Sequence, residues 1–461
     1  MIFYLIVKYC FQIYEKCVAW YDFIEKIYNF EIFKHSESMS KILLKNIAVE
    51  GLISDILIQD GTIVSLHPSG SPAYADADPS VETLDCTGRA AVPGFVNMHT
   101  HAGMSMMRGI GEDMAFHKWL EKIWDVESKI DEEYVYLATK VACLEMIRTG
   151  TTTFNDHYWY MPMACKAVME MGLRAVLAYV VCDRNDPEES ERQKIQCERM
   201  YQLAQEWGDM TSFAVAVHAI YSVSEEMMLW AVRFARERGL KIHIHLSETR
   251  KEVEDCIKQH NGMSPVEYLD SLGVLGPDVI AAHTLWLSEN DVRILGERGV
   301  NCVHNVNSNL KLASGYRFLY NELRDAGANI CLGTDGCASS NNLDMLETMK
   351  TSAMIQKAWR DDPAAMPLKE IMDMATVNGG KALGLPVGRI EEGMAADILI
   401  VDTTGYHFLS PGSFDANFIY SAHSDSIRSV ICNGRFVMRD RIIAGENEIL
   451  EEARKVLNKI I

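Results

Sequence analysis

The sequence predicts an α/β protein: a closed (β/α)8 barrel of the TIM type carrying a small β-sandwich built from both ends of the chain. Three observations carry that expectation. Between residues 94 and 384, apolar runs of strand length alternate with amphipathic segments of helix length, the pattern of a parallel sheet wrapped in helices. Polar residues recur at the C-terminal ends of those runs: His101, Asp156, His218, His245, His283, His304 and Asp335. Both flanks instead show short β-rich runs separated by turn signals.

Met1–Lys34 is rich in aromatic and aliphatic residues, but Lys8, Glu15 and Lys16 interrupt it. Its opening apolar stretch ends at Val7, too short for a membrane span, and carries no basic leader or small-residue cleavage site. Met39-Ser40-Lys41-Ile42-Leu43-Leu44 then reads as an ordinary start into a first strand, so residues 1–38 are expected to be an extension outside the fold. The sandwich is expected from residues 39–92 with 385–461. Lys41–Val49, Ile53–Gln59 and Ile63–Leu66 read as strands, with Asp60-Gly61 a hairpin signal. Residues 68–80 read as a loop. At the far end Ala396–Asp402, Ile427–Cys432 and Arg435–Met438 read as strands, with Asn433-Gly434 a second hairpin signal. Residues 93–384 are expected to hold the barrel. Its strands are read as Ala91–Met98, Thr151–Asp156, Arg174–Val181, Phe213–His218, Lys241–His245, Val279–His283, Asn301–His304 and Asn329–Thr334. Ser224–Arg238 and Ser288–Arg298 are two of the intervening helices.

At 461 residues the chain is long enough for one large domain and a smaller one. A hydrophobic content of 48% and a mean hydropathy of −0.05 fit a soluble globular protein. The net charge of −20 argues against nucleic-acid phosphates or anionic membranes as partners. The 12 cysteines include no Cys-x-x-Cys pair and fit a reducing cytoplasm better than a disulfide framework.

The chemistry gathers at strand ends. His99-Thr100-His101 closes an apolar run, and histidines one residue apart on a strand point the same way, so both can bind one metal ion. His245 in Ile242-His243-Ile244-His245-Leu246-Ser247-Glu248, His283 after Val279-Ile280-Ala281-Ala282, and Asp335 in Gly333-Thr334-Asp335-Gly336 follow at successive ends. Hydrolysis of an unactivated C–N bond needs a strong nucleophile, which a divalent metal supplies by lowering the pKa of bound water to about 7. Three imidazoles and a carboxylate hold such an ion with a position left open. His99, His101, His245 and Asp335 are therefore the expected ligands of one divalent ion per chain, zinc by ligand type, with iron also suited. Asp335 is further expected to accept the water's proton, Glu248 to act as general acid and base, and His283 to polarise the attacking water.

Each residue has a plainer reading alone. A strand-end histidine is more often structural, Asp335-Gly336 can be a turn, and Glu248 near Ser247 can open a helix. Four in order at successive ends make the plain readings jointly weak. His243 shares the parity of His245, so alternation does not separate them; His245 is preferred for its terminal place and for the Glu248 that follows.

Pro93-Gly94-Phe95-x-x-x-His99-Thr100-His101 and Gly333-Thr334-Asp335-Gly336 resemble the first and last metal motifs of the amidohydrolase superfamily, over nearly all of residues 41–455. Met107-Arg108-Gly109, Trp119-Leu120-x-x-Ile123-Trp124, Glu145-Met146-x-x-x-Gly150-Thr151-Thr152 and Ser308–Gly315 resemble its methylthioadenosine/S-adenosylhomocysteine deaminases and their chlorotriazine-hydrolase relatives. No lysine ends the fourth strand, where His218 sits, which argues against the two-metal form. The resemblance implies that Glu127, His218 and Glu248 contact substrate, that Trp119 covers the base, and that Glu127 binds ribose hydroxyls. The chain departs from the pattern in four places, one of them His304-Asn305-Val306-Asn307, which replaces a more usual proline-containing run. The segment from Trp119 to Glu127 is one residue short, His218-Ala219 lacks its flanking prolines, and Ala178–Asp183 lacks an arginine for the nucleoside tail, with Arg184 an approximate substitute.

The resemblance implies hydrolytic deamination of an adenine nucleoside (S-adenosylhomocysteine, 5′-methylthioadenosine or adenosine) to the inosine analogue and ammonia. A thioether at the 5′ position is the expected preference, the partner is a small molecule, and the enzyme is expected in the cytoplasm, with homo-oligomerisation left open. The second reading keeps the machinery and changes the ring to guanine, a pterin or a triazine. The third is a non-catalytic scaffold, which the intact His99, His101, His245, Glu248 and Asp335 argue against.

Overall fold

The computed structural model describes residues 41–71 and 81–460. The expected extension at 1–38 and most of the expected loop at 68–80 lie outside the described residues. Five strands come first: β1 (Ile42–Val49), β2 (Leu52–Gln59), β3 (Thr62–Pro68), β4 (Glu82–Asp85) and β5 (Arg89–Pro93). Eight follow: β6 (Phe95–Thr100), β7 (Thr151–Tyr158), β8 (Arg174–Val181), β9 (Thr211–Val217), β10 (Ile242–Leu246), β11 (Val279–His283), β12 (Asn301–His304) and β13 (Asn329–Leu332). β14 (Ile398–Asp402), β15 (Ile427–Cys432) and β16 (Arg435–Met438) come last.

The first and last groups make one mixed sheet in the order β16-β15-β14-β5-β1-β2-β3, with β4 beside β1. Both hairpin signals operate as read. Asp60 and Gly61 take φ of 51° and 78°, and Asn433 and Gly434 take 50° and 74°. Two consecutive left-handed residues give the turn twist that matches paired strands. The two ends of the chain meet where β14 runs antiparallel to β5, Ile398 opposite Pro93. Ile42, Leu44, Ile47, Ile56, Ile58, Ile398, Ile400 and Ile431 bury themselves on this sheet's own core, consistent with the small sandwich expected. β4 had no signal in the sequence.

The middle group is the expected barrel. Its eight strands pair in parallel and in chain order from β6 to β13. The ring closes where Thr100 bridges Asp335, and the Asp335 N–H donates to the His99 carbonyl at 2.9 Å. The helices between strands start where their sequences say. Ser224 caps Glu225–Glu237, and Ser288 and Asp291 form a capping box on Glu289–Glu297.

One strand differs from its reading. Ala91–Met98 is not continuous: Pro93 ends β5 in the mixed sheet and Phe95 begins β6 in the barrel. Gly94 is the crossing point, and a Cβ there would lie 2.2 Å from the Thr152 hydroxyl oxygen, which is why only glycine fits. No helix among the described residues is long and apolar enough to cross a membrane.

Candidate active site

The C-terminal ends of the barrel strands open on one cavity, roofed by residues of the helix Phe116–Glu127. His99 reaches it from β6, His101 from just past β6, His245 from β10, and Asp335 from just past β13. All four are buried. One carboxylate oxygen of Asp335 lies 3.2 Å from Nε2 of His99 and 3.2 Å from Nε2 of His101. Nε2 of His245 and Nε2 of His101 are 3.3 Å apart.

The far side of each ring explains this convergence. Nδ1–H of His101 donates to the His157 carbonyl at 2.6 Å, and Nδ1–H of His245 to the His218 carbonyl at 2.8 Å. Those bonds fix the tautomers, so two Nε2 lone pairs face one another, and Nε2 of His99 has no hydrogen-bond partner among the described residues. Buried acceptors pointed at each other need a cation between them. Burial pushes His99 down to about 4, with Asp335 opposing. Burial also disfavours the Asp335 charge, but the adjoining imidazoles of His101 and His99 outweigh it and hold this carboxyl well below the usual range. His99, His101 and Asp335, and also His99, His245 and His283, are grouped closely enough to share a metal ion.

Asp335 is fixed from behind. The Ser308 hydroxyl donates to Oδ2 at 2.6 Å and the Gly336 N–H to Oδ1 at 2.9 Å. Ser247, His283 and Asp335, which end or follow their strands, have φ of 52°, 74° and 63°. Left-handed backbone at non-glycine residues costs about 1–3 kcal/mol each and collects at functional sites.

Glu248 stands beside this cluster, not in it. The N–H groups of Ser247 and Glu248 each donate to the Glu252 carboxylate at 2.8 Å, which sets the loop. The Glu248 carboxylate lies 3.8 Å from Nε2 of His283. Burial raises the Glu248 carboxyl, with His283 opposing. Nδ1–H of His283 donates to the Asn309 side-chain oxygen at 2.9 Å, leaving its Nε2 as an acceptor toward the cavity.

The three residues named from resemblance also line the cavity. The Trp119 indole N–H donates to the Ala338 carbonyl at 3.2 Å. Glu127 accepts from the Tyr158 hydroxyl at 2.9 Å, and burial pushes its carboxyl up to about 7 against that bond. Nδ1 of His218 meets the Ser222 hydroxyl at 2.7 Å. Other strand-end residues fall elsewhere. His304 stacks on Phe318 with ring centroids 4.1 Å apart and is not part of the cavity wall. Asp156 accepts from the Thr100 hydroxyl and the Ala102 N–H at 2.8 and 2.7 Å, supporting the His99–His101 segment from outside. His243 sits one layer deeper than His245, 2.9 Å from Nδ1 of His99. Sequence reasoning passed over His157 and Tyr158, because β7 runs two residues beyond its expected end at Asp156. His157, Tyr158 and Trp159 all line the cavity.

The sequence model of the amidohydrolase family matches residues 90–437. The chain is 44% identical over 380 residues to a 5′-deoxyadenosine deaminase of Methanoregula boonei, covering 82% of this chain and 86% of that one. It is 41% identical over 399 residues to a 5′-deoxyadenosine deaminase of Methanothermobacter thermautotrophicus, covering 86% and 91%. Among solved structures, an adenosine deaminase of Xanthomonas campestris with bound zinc superposes with a TM-score of 0.85 at 30% identity, covering 91% of this chain and 98% of the other. An atrazine chlorohydrolase of Arthrobacter aurescens complexed with zinc superposes at 0.82 with 21% identity, covering 90% and 100%, a likeness of fold.

Proposed function

The chain belongs to the amidohydrolase family, and from that premise we propose that it hydrolytically deaminates adenine nucleosides bearing a small apolar group at the 5′ carbon. The observation that carries this reading is the cavity's arrangement, in which convergent imidazoles, Asp335 and the Glu248–His283 pair meet beneath aromatic side chains. The facing lone pairs fit a cation, and an imidazole–carboxylate set suits zinc, with iron also accommodated. His99, His101, His245 and Asp335 would hold it. When bound, such an ion lowers the pKa of a water molecule and supplies the nucleophile near neutral pH.

The chain's own residues do the rest. Ionised Asp335, pinned by Ser308 and Gly336, accepts a proton from the attacking water. Nε2 of His283, an acceptor because Nδ1 is committed to Asn309, orients that water. Glu248, whose proton affinity burial raises, shuttles a proton to a ring nitrogen or the leaving amine. Glu127 accepts hydroxyl hydrogens from ribose, and Trp119 covers the base.

Two observations favour a small apolar tail over the amino-acid tail of S-adenosylhomocysteine. Relatives over 40% identical are 5′-deoxyadenosine deaminases. No lysine or arginine lines the cavity among the described residues, while Phe116, Trp124 and Tyr221 do. The Arg184 guanidinium lies over the Trp124 ring at 4.6 Å, outside the wall. The zwitterionic amino-acid tail would lose its hydration there, with Arg184, behind Trp124, the nearest cation to its carboxylate. Ammonia release from 5′-deoxyadenosine, 5′-methylthioadenosine, adenosine, S-adenosylhomocysteine, guanine and a pterin tests this. The 5′-deoxy and methylthio nucleosides should give the highest kcat/KM; a faster guanine or pterin would refute the nucleoside reading, and a faster S-adenosylhomocysteine the tail.

A further inference from the structure

Five histidines around the cavity are anchored through the ring nitrogen that faces away from it. His101 and His245 use carbonyls, His99 uses His243, His218 uses Ser222 and His283 uses Asn309. His157 is different. It is 2% exposed, it lines the cavity, and neither of its ring nitrogens has a hydrogen-bond partner among the described residues. Neither metal-sized grouping of side chains includes it.

Alternation along β7 accounts for its place. Asn155 and His157 share one face, and Asn155 points to His243 at 3.1 Å in the layer below. The His157 ring therefore tops that layer, with centroids 4.5 Å from His245, 5.3 Å from His101 and 6.1 Å from His218. The next residue, Tyr158, holds Glu127. The imidazole leaves two polar nitrogens, both buried and both unspent, in the wall of the cavity.

We propose that His157 is a substrate-contacting residue that hydrogen-bonds a neutral heteroatom of the nucleoside between the reacting carbon and the sugar: the purine N3 or a ribose hydroxyl. The position follows from its neighbours, the metal-facing His101 and His245 on one hand, and His218 and the Tyr158–Glu127 pair on the other. The ligand chemistry follows from the two buried, unpartnered ring nitrogens in the cavity wall, which suit a ring-nitrogen acceptor or a hydroxyl. This inference rests on the nucleoside reading above.

His157→Phe keeps an aromatic ring and deletes both nitrogens. Steady-state kinetics on 5′-deoxyadenosine, 3-deazaadenosine, 2′-deoxyadenosine and 3′-deoxyadenosine should be run beside metal analysis for native chain, His157→Phe and His157→Gln. The phenylalanine variant should keep its metal, raise KM by about 10–100-fold and change kcat by less than about threefold. One of the three altered nucleosides should be penalised about tenfold or more by the native chain and not by the variant. Glutamine, which also offers a donor and an acceptor, should restore part of KM. An unchanged KM overturns the proposal, as does an equal penalty for all three analogues in both chains, the mark of a nitrogen that holds only water. Should His157→Phe fail to fold, His157→Leu carries the same comparison. A native chain inactive on every adenine nucleoside defeats the functional reading itself, a result distinct from active native chain and indifferent variants.

Discussion

At the strand ends, every side chain assigned to the chemistry is held at its back. His101 and His245 are tied to carbonyls, Asp335 to Ser308 and Gly336, His283 to Asn309, and the Glu248 loop to Glu252. The helix Phe116–Glu127, which supplies Trp119, Trp124 and Glu127, is held differently. Its N-terminus has no side-chain cap, and its polar ties to the barrel from those residues are the Trp119–Ala338 and Tyr158–Glu127 hydrogen bonds. The contrast separates two tasks. Bond-making geometry rests on rigid strand ends, whereas recognition rests on an element whose few ties let it change without disturbing the ligands. The shortened Trp119–Glu127 segment falls on that second element and Arg184 stacks on its Trp124, so these departures bear on substrate identity and leave the reaction class untouched.

The contrast can be broken at its strongest point first. His245→Ala should cost the metal and about 10⁴-fold or more in turnover, because the water must then react without the ion's large lowering of its pKa; metal analysis and kcat check this together. Full activity with no metal would end the mononuclear reading. Glu248→Gln should keep the metal and lower kcat by about 10²–10⁴-fold, separating the proton carrier from the ligands beside it. On the helix the effect should be smaller and selective. Glu127→Ala should lower kcat/KM for ribose substrates by about 10–100-fold and nearly erase discrimination against 2′,3′-dideoxy analogues. Equal losses on both substrates would assign Glu127 to packing.

The smallest expected effect is a pH dependence. Burial pushes the folded Glu127 carboxyl up to about 7 from an ordinary 4.5, so between those values the folded chain keeps a proton that the unfolded chain releases. Its contribution is full below 4.5 and is lost as pH rises toward 7. Glu127→Gln should therefore stabilise the protein above pH 7, by on the order of 1 kcal/mol, and leave it unchanged near pH 4. A thermal-melt series at pH 4, 6 and 8 reads the difference, and a uniform shift at all three would remove titration as its cause.

What the sequence disclosed follows the same division. His99, His101, His245, His283 and Asp335 were legible because each ends an apolar run, and strand periodicity says which way a terminal side chain points. The barrel order and both Asn/Asp-Gly hairpins were legible for similarly local reasons. Depth was not. His243 and His245 have the same parity, and only the register of β10 against β9 and β11 shows which one reaches the cavity. His157 was hidden by a strand that continues past a polar residue that looked like its end. The break in Ala91–Met98 was hidden because both halves are apolar, and what separates them is the crowding of Gly94 by Thr152.

That single residue couples the two sheets thermodynamically. Only Gly94 lies between β5 and the strand that bears His99 and leads into His101, so there is no slack to let one sheet open while the other stays shut. Free metal at 1,000 times its dissociation constant adds about 4 kcal/mol to whatever state binds it. Through Gly94 that increment should reach β5 and its partner β14, which hold no ligand at all. Amide hydrogens on β14 should exchange more slowly when the ion is present and faster when it is chelated. The ion, on this account, is also a distant fastening for the sheet where the two ends of the chain meet.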